Sequence, residues 1–202
     1  MEALPDEHRE FLDIIRESSD ALLSLVTDML DVSRMEAGQL TLEEAGFELR
    51  ECIESAMSQL VGRSIDKGLG FGYWMEAGTA GRYLGDETRL RQVLVNLLDN
   101  AVKHGGRGST VLLRSRVEGT ELRIEVDDSG PGVPSEWRER VFQPFTRLDG
   151  RNVAGAGIGL SVVRELVEAH GGRVWIDASP LGGARVVVAL PASTPPSELE
   201  RA

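Results

Sequence analysis

The sequence predicts an α+β fold, because segments with helical and with strand periodicity are interspersed along the chain. Residues 90–106 carry apolar side chains at the three- and four-residue spacing of one helix face. Residues 111–117 and 122–126 alternate apolar and polar side chains on either side of a glycine turn. Residues 173–178 and 184–190 flank a second turn, rich in proline and glycine. Each pair is typical of a β-hairpin.

The composition excludes several classes of function. The 202 residues suffice for one or two domains with an adequate core, since 41% are hydrophobic and 27% charged. A net charge of −11 argues against nucleic acid or an anionic membrane as the main partner. No apolar run reaches the roughly 18 residues of a membrane span. The single cysteine, Cys52, cannot form an internal disulfide and is predicted to be a core residue on a helix, so we expect a cytoplasmic protein without membrane contact.

The N-terminal segment, residues 6–37, is predicted to form one long helix that ends at Gly38. Its apolar residues follow alternating steps of four and three, the heptad pattern of a helix packed against other helices. The seam comprises Phe11, Ile15, Leu22, Leu25, Met29 and Val32, with Ser18 in step. We expect a bundle helix that self-associates into a homodimer; the alternative is a core helix of the main domain.

The remaining elements are predicted from shorter patterns. They are an edge strand at 39–42, a helix at 47–67, strands at 71–75 and 81–84, and helices at 134–141 and 161–170. The helix at 47–67 would place Leu49, Ile53, Ala56, Leu60 and Ile65 inward. From Ser193 the chain is rich in proline, serine and glutamate and is predicted to be disordered.

Two asparagines interrupt the apolar face of the helix at 90–106. Asn96 and Asn100 lie one turn apart on one side, and Lys103 follows three residues later. Amide oxygens can ligate Mg²⁺ and an ammonium can neutralise a phosphate, so this face suits a metal–phosphate group. The alternative is that the amides are solvated or make hydrogen bonds within the core.

Two glycine motifs follow downstream. The second strand of the first hairpin runs into DSGPG at 128–132, which puts a carboxylate beside backbone that a flat ligand can approach closely. GAGIGL at 155–160 directly precedes a helix, where exposed backbone N–H groups and the helix dipole favour a phosphate. A dinucleotide-binding fingerprint is rejected for the second motif, because a polar loop precedes it instead of a strand. Between them lies FQPF at 142–145.

Taken in order, the motifs NxxxNxxK, DxGxG, FxPF and GxGxGL resemble the N box, first glycine box, F box and second glycine box of the ATP-binding domain of sensor histidine kinases. That domain belongs to the superfamily of gyrase, MutL and related ATPases. The resemblance covers residues 39–191 and implies a two-layer α/β sandwich, with a mostly antiparallel mixed sheet under helices. Residues 1–38 are similar to the second helix of the family's dimerisation and phosphotransfer domain. The expected domains are therefore 1–38 and 39–192, followed by a disordered tail at 193–202.

The resemblance also implies roles for individual residues. Asn100 would ligate Mg²⁺, Asn96 would face the phosphates of ATP, and Lys103 would contact them. Asp128 would accept a hydrogen bond from the adenine amino group. The other implied contacts are His104 beside the lysine, Gly130 and Gly132 in the base pocket, Phe142 and Phe145 at the base of a lid, Gly155, Gly157, Gly159 and Leu160 at the phosphates, and Arg147 or Arg151 near the γ-phosphate.

The residue at position 96 separates phosphoryl transfer from hydrolysis. Relatives that hydrolyse ATP usually carry a glutamate there as a general base, and an amide cannot accept a proton. Asn96 therefore favours a kinase, with a response regulator receiver domain as its implied partner. Two alternatives remain. One is a serine kinase of the anti-sigma-factor type, which the N-terminal helix disfavours. The other is a degenerate nucleotide-binding module, which the presence of Asn100, Lys103 and Asp128 disfavours.

Two departures from the family pattern stand out. Gly183 is followed by Ala184 where the family usually has Ser or Thr, which removes a hydroxyl near the base. The accepting histidine of the family lies in a motif resembling H-E-x-R-T-P, and none of His8, His104 and His170 stands in such a motif. We expect this chain to bind ATP without efficient autophosphorylation, the first bundle helix being absent from it.

Overall fold

The structure is a computed structural model that describes residues 41–148 and 157–192, together with Ile15 and Val26. The predictions for the rest of the N-terminal helix, for Gly38, for Arg151 and Gly155, and for the tail lie outside the described residues. A compact unit begins at Thr41.

Seven strands and four α-helices make up this unit as described. In chain order they are β1 (Ala45–Glu48), α1 (Leu49–Ser58), α2 (Val61–Asp66), β2 (Gly70–Met75), β3 (Arg82–Gly85), α3 (Glu87–His104), β4 (Thr110–Glu118), β5 (Glu121–Asp128), α4 (Gly159–Ala169), β6 (Arg173–Ala178) and β7 (Ala184–Pro191). Two short 3-10 turns, Ser135–Trp137 and Arg140–Phe142, lie between β5 and α4.

The main sheet has five strands in the order β2-β4-β5-β7-β6. Strand β2 pairs parallel with β4, and the other pairs are antiparallel. Helix α3 packs on β4 and β5, α4 packs on β6 and β7, and α1 packs against α3. The expected α+β fold, a mixed sheet under helices, is confirmed. Strands β1 and β3 form a separate antiparallel pair.

Helix α3 forms the centre of the core. All seven of its predicted inward residues are buried, namely Leu90, Val93, Leu94, Leu97, Leu98, Ala101 and Val102. Asp86 is the N-cap of this helix, and its side chain accepts a hydrogen bond from the backbone N–H of Arg89. The N-cap fixes where α3 begins, and the buried apolar face fixes how the helix is rotated. The positions of its polar side chains around the helix axis are therefore also fixed.

The region before α3 differs from the prediction. The strand lies at Ala45–Glu48 instead of 39–42, so residues 41 and 42 are outside it. The helix predicted at 47–67 is two helices, α1 and α2, separated at Gln59 and Leu60. Ile65, expected inside, is 69% exposed. The two short strands near 71–75 and 81–84 exist, but β2 and β3 belong to different sheets.

Two further boundaries differ. The segment predicted as a helix at 134–141 instead forms the two 3-10 turns, Ser135–Trp137 and Arg140–Phe142. Helix α4 begins at Gly159, two residues before the predicted start at Ser161. The closing hairpin of β6 and β7 agrees with the prediction.

Cys52 is fully buried on α1, as predicted, and burial raises its pKa to about 12. The thiolate fraction at pH 8 is then about one in ten thousand. We expect no reaction with an alkylating reagent in the native protein at pH 8 and rapid reaction after unfolding. Mass spectrometry after timed alkylation measures both, and rapid native labelling would contradict the buried position.

Candidate functional site

The two amides of α3 face the start of α4. Asn96 and Asn100 are half-buried, one turn apart on α3. A Cβ atom at Gly159 would lie 3.8 Å from Oδ1 of Asn96 and 3.9 Å from Nδ2 of Asn100. The amide nitrogen of Asn96 is buried and has no hydrogen-bond partner. A polar atom buried in this way is costly unless a ligand satisfies it, so the space beside the two amides is suited to a polar group.

The backbone at the start of α4 is also shaped for an anion. Gly157 has φ of +72°, a conformation that favours glycine. Ile158 is the N-cap and supplies no side-chain cap, so the first backbone N–H groups of α4, including that of Leu160, lack a capping side chain. The positive end of the helix dipole therefore lies next to Asn96 and Asn100.

Asp128 occupies the end of β5, close to the C-terminal end of α3. Its Oδ1 accepts hydrogen bonds from the backbone N–H of Gly130 at 2.8 Å and of Ala184 at 3.3 Å. Only 9% of the residue is exposed, and burial raises the pKa of Asp128, although these two bonds lower it in part. Both bonds fall on Oδ1, which fixes the orientation of the carboxylate. A donor from a ligand would compensate the buried charge.

The surrounding glycines leave no room for side chains. A Cβ atom at Gly183 would lie 2.2 Å from Oδ1 of Asp128. At Gly130 it would lie 2.9 Å from the same oxygen and 3.1 Å from the carbonyl oxygen of His104. Gly132 has φ of +69° and packs against Gly183. Close backbone contact thus forms one wall around the carboxylate, at the C-terminal end of α3.

Lys103 contacts a residue that the sequence analysis did not single out. Its Nζ lies 2.5 Å from Oδ2 of Asp99, and Nη1 of Arg63 lies 2.5 Å from Oδ1 of the same carboxylate. Asp99 and Lys103 are an i,i+4 pair, a spacing that could have been detected in the sequence. Arg63 comes from α2 and could not have been detected in this way. His104, next to the lysine, is exposed.

The FQPF segment closes the base of the loop that precedes α4. Phe142 is buried, and the guanidinium of Arg164 on α4 lies 4.3 Å from the centre of its ring. Phe145 is 66% exposed with φ of +61°, and its N–H donates to the carbonyl of Gly157 at 2.9 Å. This hydrogen bond joins Phe145 to Gly157, the two residues that flank residues 146–156. Arg147, also predicted for the site, is exposed within this segment.

These features line the C-terminal half of α3. Asn96 and Asn100, near the middle of the helix, face the N-terminus of α4, and the last turn of α3 contacts the wall around Asp128. Asn96 and His104 are separated by about 12 Å along the helix axis. The arrangement offers a hydrogen-bond acceptor for a base at the C-terminal end of α3 and groups for phosphate near its middle, as in a nucleotide site.

Comparison with protein families agrees with this geometry. Residues 85–194 match the family described as "Histidine kinase-, DNA gyrase B-, and HSP90-like ATPase", and residues 1–38 match the "His Kinase A (phospho-acceptor) domain". The chain belongs to the family of histidine kinase-, DNA gyrase B- and HSP90-like ATPases.

Curated sensory and signal-transduction kinases are similar to this chain. Sensory/regulatory protein RpfC of Xanthomonas campestris pv. campestris is 36% identical over 196 residues, which cover 93% of this chain and 27% of RpfC. Signal transduction histidine-protein kinase BarA of Escherichia coli K12 is 33% identical over 188 residues, which cover 90% of this chain and 20% of BarA. The chain thus spans about a quarter of the length of the curated relatives it matches.

Solved structures show the same fold. Full-length ShkA in complex with AMPPNP matches with a TM-score of 0.80 and 33% identity, over 96% of this chain and 41% of ShkA. Histidine kinase ThkA in complex with response regulator protein TrrA matches with a TM-score of 0.72 and 25% identity, over 95% of this chain and 53% of that one. Among the described residues, no helix combines the length and the apolarity needed to cross a membrane.

Proposed function

We propose that residues 39–192 are the catalytic ATP-binding domain of a sensor histidine kinase. In this proposal the domain transfers the γ-phosphoryl group of Mg-ATP to a histidine on a separate helical segment, from which it passes to a response regulator receiver domain. The observation that carries the proposal is the pairing of Asn96 and Asn100, near the middle of α3, with the N-terminus of α4, while the wall around Asp128 contacts the C-terminal end of α3.

The base end of the proposed site is Asp128. Its carboxylate would accept a hydrogen bond from the adenine amino group, because Oδ1 is already oriented by two backbone N–H groups. Gly130 and Gly132 would let the base approach the backbone closely. A base without that amino group would leave a buried carboxylate uncompensated, which favours adenine.

The phosphate end of the proposed site contains two side-chain amides, and an amide oxygen is a suitable ligand for Mg²⁺. The described residues hold no group of three or more His, Cys, Asp or Glu side chains suited to a metal, so a bound Mg²⁺ would rely on amide, water and phosphate oxygens. Asn100 would ligate it, and Asn96, with its unpartnered amide nitrogen, would face the phosphates. When bound, Mg²⁺ would neutralise charge on the β- and γ-phosphates. Gly157, Gly159 and Leu160 would hold phosphate oxygens, with Gly155 and Arg147 or Arg151 contributed by the loop.

Phosphoryl transfer is favoured over hydrolysis because Asn96 cannot act as a general base for water. A serine kinase of the anti-sigma-factor type is the second candidate with the same nucleotide chemistry. The match of residues 1–38 to a phospho-acceptor domain supports the histidine kinase. A third candidate, a degenerate nucleotide-binding module, is disfavoured because such a module would have lost ligand residues, and Asn100, Lys103 and Asp128 are all present.

The proposed partners follow from the helix and the relatives. Ile15 and Val26 are helical and are 55% and 47% exposed, and apolar surface of this kind supports a homodimer through the N-terminal helix. A response regulator is proposed because the related ThkA was crystallised with one. The acidic net charge supports the absence of a nucleic-acid partner. We further propose a cytoplasmic location, where Mg-ATP is available.

Calorimetry with ATP, with and without Mg²⁺, tests the proposal. We expect the wild-type chain to bind more tightly when Mg²⁺ is present and Asn100→Ala to lose this difference while it still binds metal-free ATP. Gly106→Ala serves as the matched control, because a Cβ atom there meets no atom within 4 Å. Equal Mg²⁺ dependence in wild type and Asn100→Ala would refute the assigned metal ligand, and no binding by the wild type would refute the function.

The ion pair of Lys103 with Asp99 leads to a separate prediction. Asp99→Asn should strengthen ATP binding by about three- to tenfold, because it releases Lys103 for the phosphates and removes a nearby negative charge. Titrations at several salt concentrations measure the gain, which should shrink as salt rises. Arg63→Gln is the control, since it breaks the other ion pair of Asp99 without releasing Lys103. Weaker binding by Asp99→Asn would contradict this reasoning.

A further inference from the structure

A buried carboxylate lies directly behind the proposed base pocket. Asp127 precedes Asp128 on β5, is 0% exposed, and points to the opposite side of the sheet. Arg185 on β7 donates to it twice, from Nε to Oδ1 at 2.9 Å and from Nη2 to Oδ2 at 3.0 Å. The hydroxyl of Ser179 donates to Oδ1 at 2.7 Å. Such a buried charge persists only where it is fully paired, so these three side chains form one unit.

Ser179 also fixes the turn that joins β6 to β7. Its N–H donates to the carbonyl of Gly183 at 2.9 Å, and its carbonyl accepts from the N–H of Gly182 at 3.0 Å. Its hydroxyl oxygen accepts from the N–H of Leu181 at 3.1 Å while the hydroxyl proton is donated to Asp127. The hydroxyl of Ser179 therefore links the turn to β5.

The same turn forms the wall around Asp128. The N–H of Gly183 donates to the backbone carbonyl of Asp128 at 3.2 Å, and the N–H of Ala184 donates to its Oδ1 at 3.3 Å. Asp127 and Asp128 thus both bind the β6–β7 turn, and their side chains do so from opposite faces of the sheet. Because Ala184 has no hydroxyl, its backbone N–H is the contact that this position makes to the carboxylate.

We propose that Asp127, Ser179 and Arg185 form a positioning cluster that holds the β6–β7 turn against Asp128 and thereby sets the preference of the site for adenine over a purine without the amino group. This inference rests on the proposed function. None of the three residues contacts the ligand in this scheme; they act through Gly183 and Ala184. If the turn loosens, Oδ1 of Asp128 keeps the N–H of Gly130 and loses that of Ala184, so the carboxylate is held less firmly in its orientation.

The test compares two nucleotides in one variant. Ser179→Ala removes only the hydroxyl, and binding is measured for ATP and for purine riboside triphosphate, which lacks the amino group. We expect ATP binding to weaken by about three- to tenfold while binding of the analogue stays unchanged, so that the selectivity ratio falls. Asp127→Asn, which keeps the shape of the side chain, should act in the same direction. An equal loss for both nucleotides would show a merely structural role and overturn the proposal.

A control and a ligand-free readout separate this proposal from the proposed function. Arg173→Gln breaks the ion pair with Glu121 at the other end of β6 and should leave the selectivity ratio unchanged. In Ser179→Ala without nucleotide, amide hydrogen exchange at Ala184 should accelerate while exchange in α3 stays the same. If the wild type fails to bind ATP, the proposed function fails, and the exchange of Ala184 still tests the link to the turn. Unchanged exchange at Ala184, or an unchanged ratio where ATP binds, would refute the cluster.

Discussion

Gly183→Ala is expected to abolish measurable ATP binding. The added Cβ atom would lie 2.2 Å from Oδ1 of Asp128, 2.5 Å from its backbone oxygen and 2.6 Å from the nitrogen of Gly130. Two of these three atoms belong to the backbone, so no side-chain rotation can relieve the clash. We expect affinity to fall about 100-fold or more, which corresponds to roughly 3 kcal/mol. Overpacking should also lower the free energy of unfolding by about 1–3 kcal/mol.

Calorimetry and thermal unfolding measure the two effects separately. The matched control is again Gly106→Ala, which adds the same methyl group in open space just after α3. Asp128→Asn provides a second comparison, because it keeps the wall and removes the charge of the proposed acceptor. If Gly183→Ala folds and binds ATP as tightly as the wild type, the base does not lie against Asp128.

The core of this fold could be predicted for helices and strands that carry a continuous apolar face. The seven apolar residues of α3 are all buried because a helix of 18 residues repeats its inward face several times. The hairpin of β4 and β5 could be predicted equally well, since apolar and polar side chains alternate along both strands. In long periodic segments of this kind, the pattern of the sequence itself specifies which side chains are buried.

The prediction failed where elements are short. Strand β1 contains only four residues, Ala45–Glu48, and is formed through its pairing with β3, which no local pattern reveals. The three- and four-residue spacing of Leu49, Ile53, Ala56 and Leu60 continues to the break between α1 and α2 and does not reveal it. Ile65 follows Leu60 by five residues, which lies off this spacing, and the residue is exposed on α2.

The site was predictable in its residue types and not in their partners. Asn96, Asn100 and Gly159 were selected from separate motifs, and the structure brings them together. Their roles toward a nucleotide stay predictions. The ion pair of Lys103 with Asp99 was not predicted, because Lys103 was expected to contact phosphate. The contacts of Asp127 with Ser179 and Arg185 connect positions more than fifty residues apart, which only the folded sheet reveals.

The chain alone is expected to bind ATP without phosphorylating itself. Its three histidines are His8, His104 and His170. His170 has Nδ1 engaged with the carbonyl of Leu166 at 2.7 Å and Nε2 buried, so neither nitrogen can attack a phosphate. His104 ends α3 beside the wall around the proposed base pocket, two turns beyond Asn96. A nucleophile must lie about 3–3.5 Å from the γ-phosphorus for in-line transfer, and His8, outside the described domain, stands in no acceptor motif.

Incubation with radiolabelled Mg-ATP tests this expectation, with acid-labile label as the signature of phosphohistidine. The chain alone should stay unlabelled, whereas a supplied helical hairpin with a histidine in an H-E-x-R-T-P motif should become labelled in trans. Asn100→Ala should reduce that labelling about 100-fold or more, because the proposed metal ligand neutralises charge that develops during transfer. His8→Gln is the control and should transfer to the hairpin at the wild-type rate. Acid-labile label on the chain alone that disappears in His8→Gln would make His8 the acceptor and overturn the prediction.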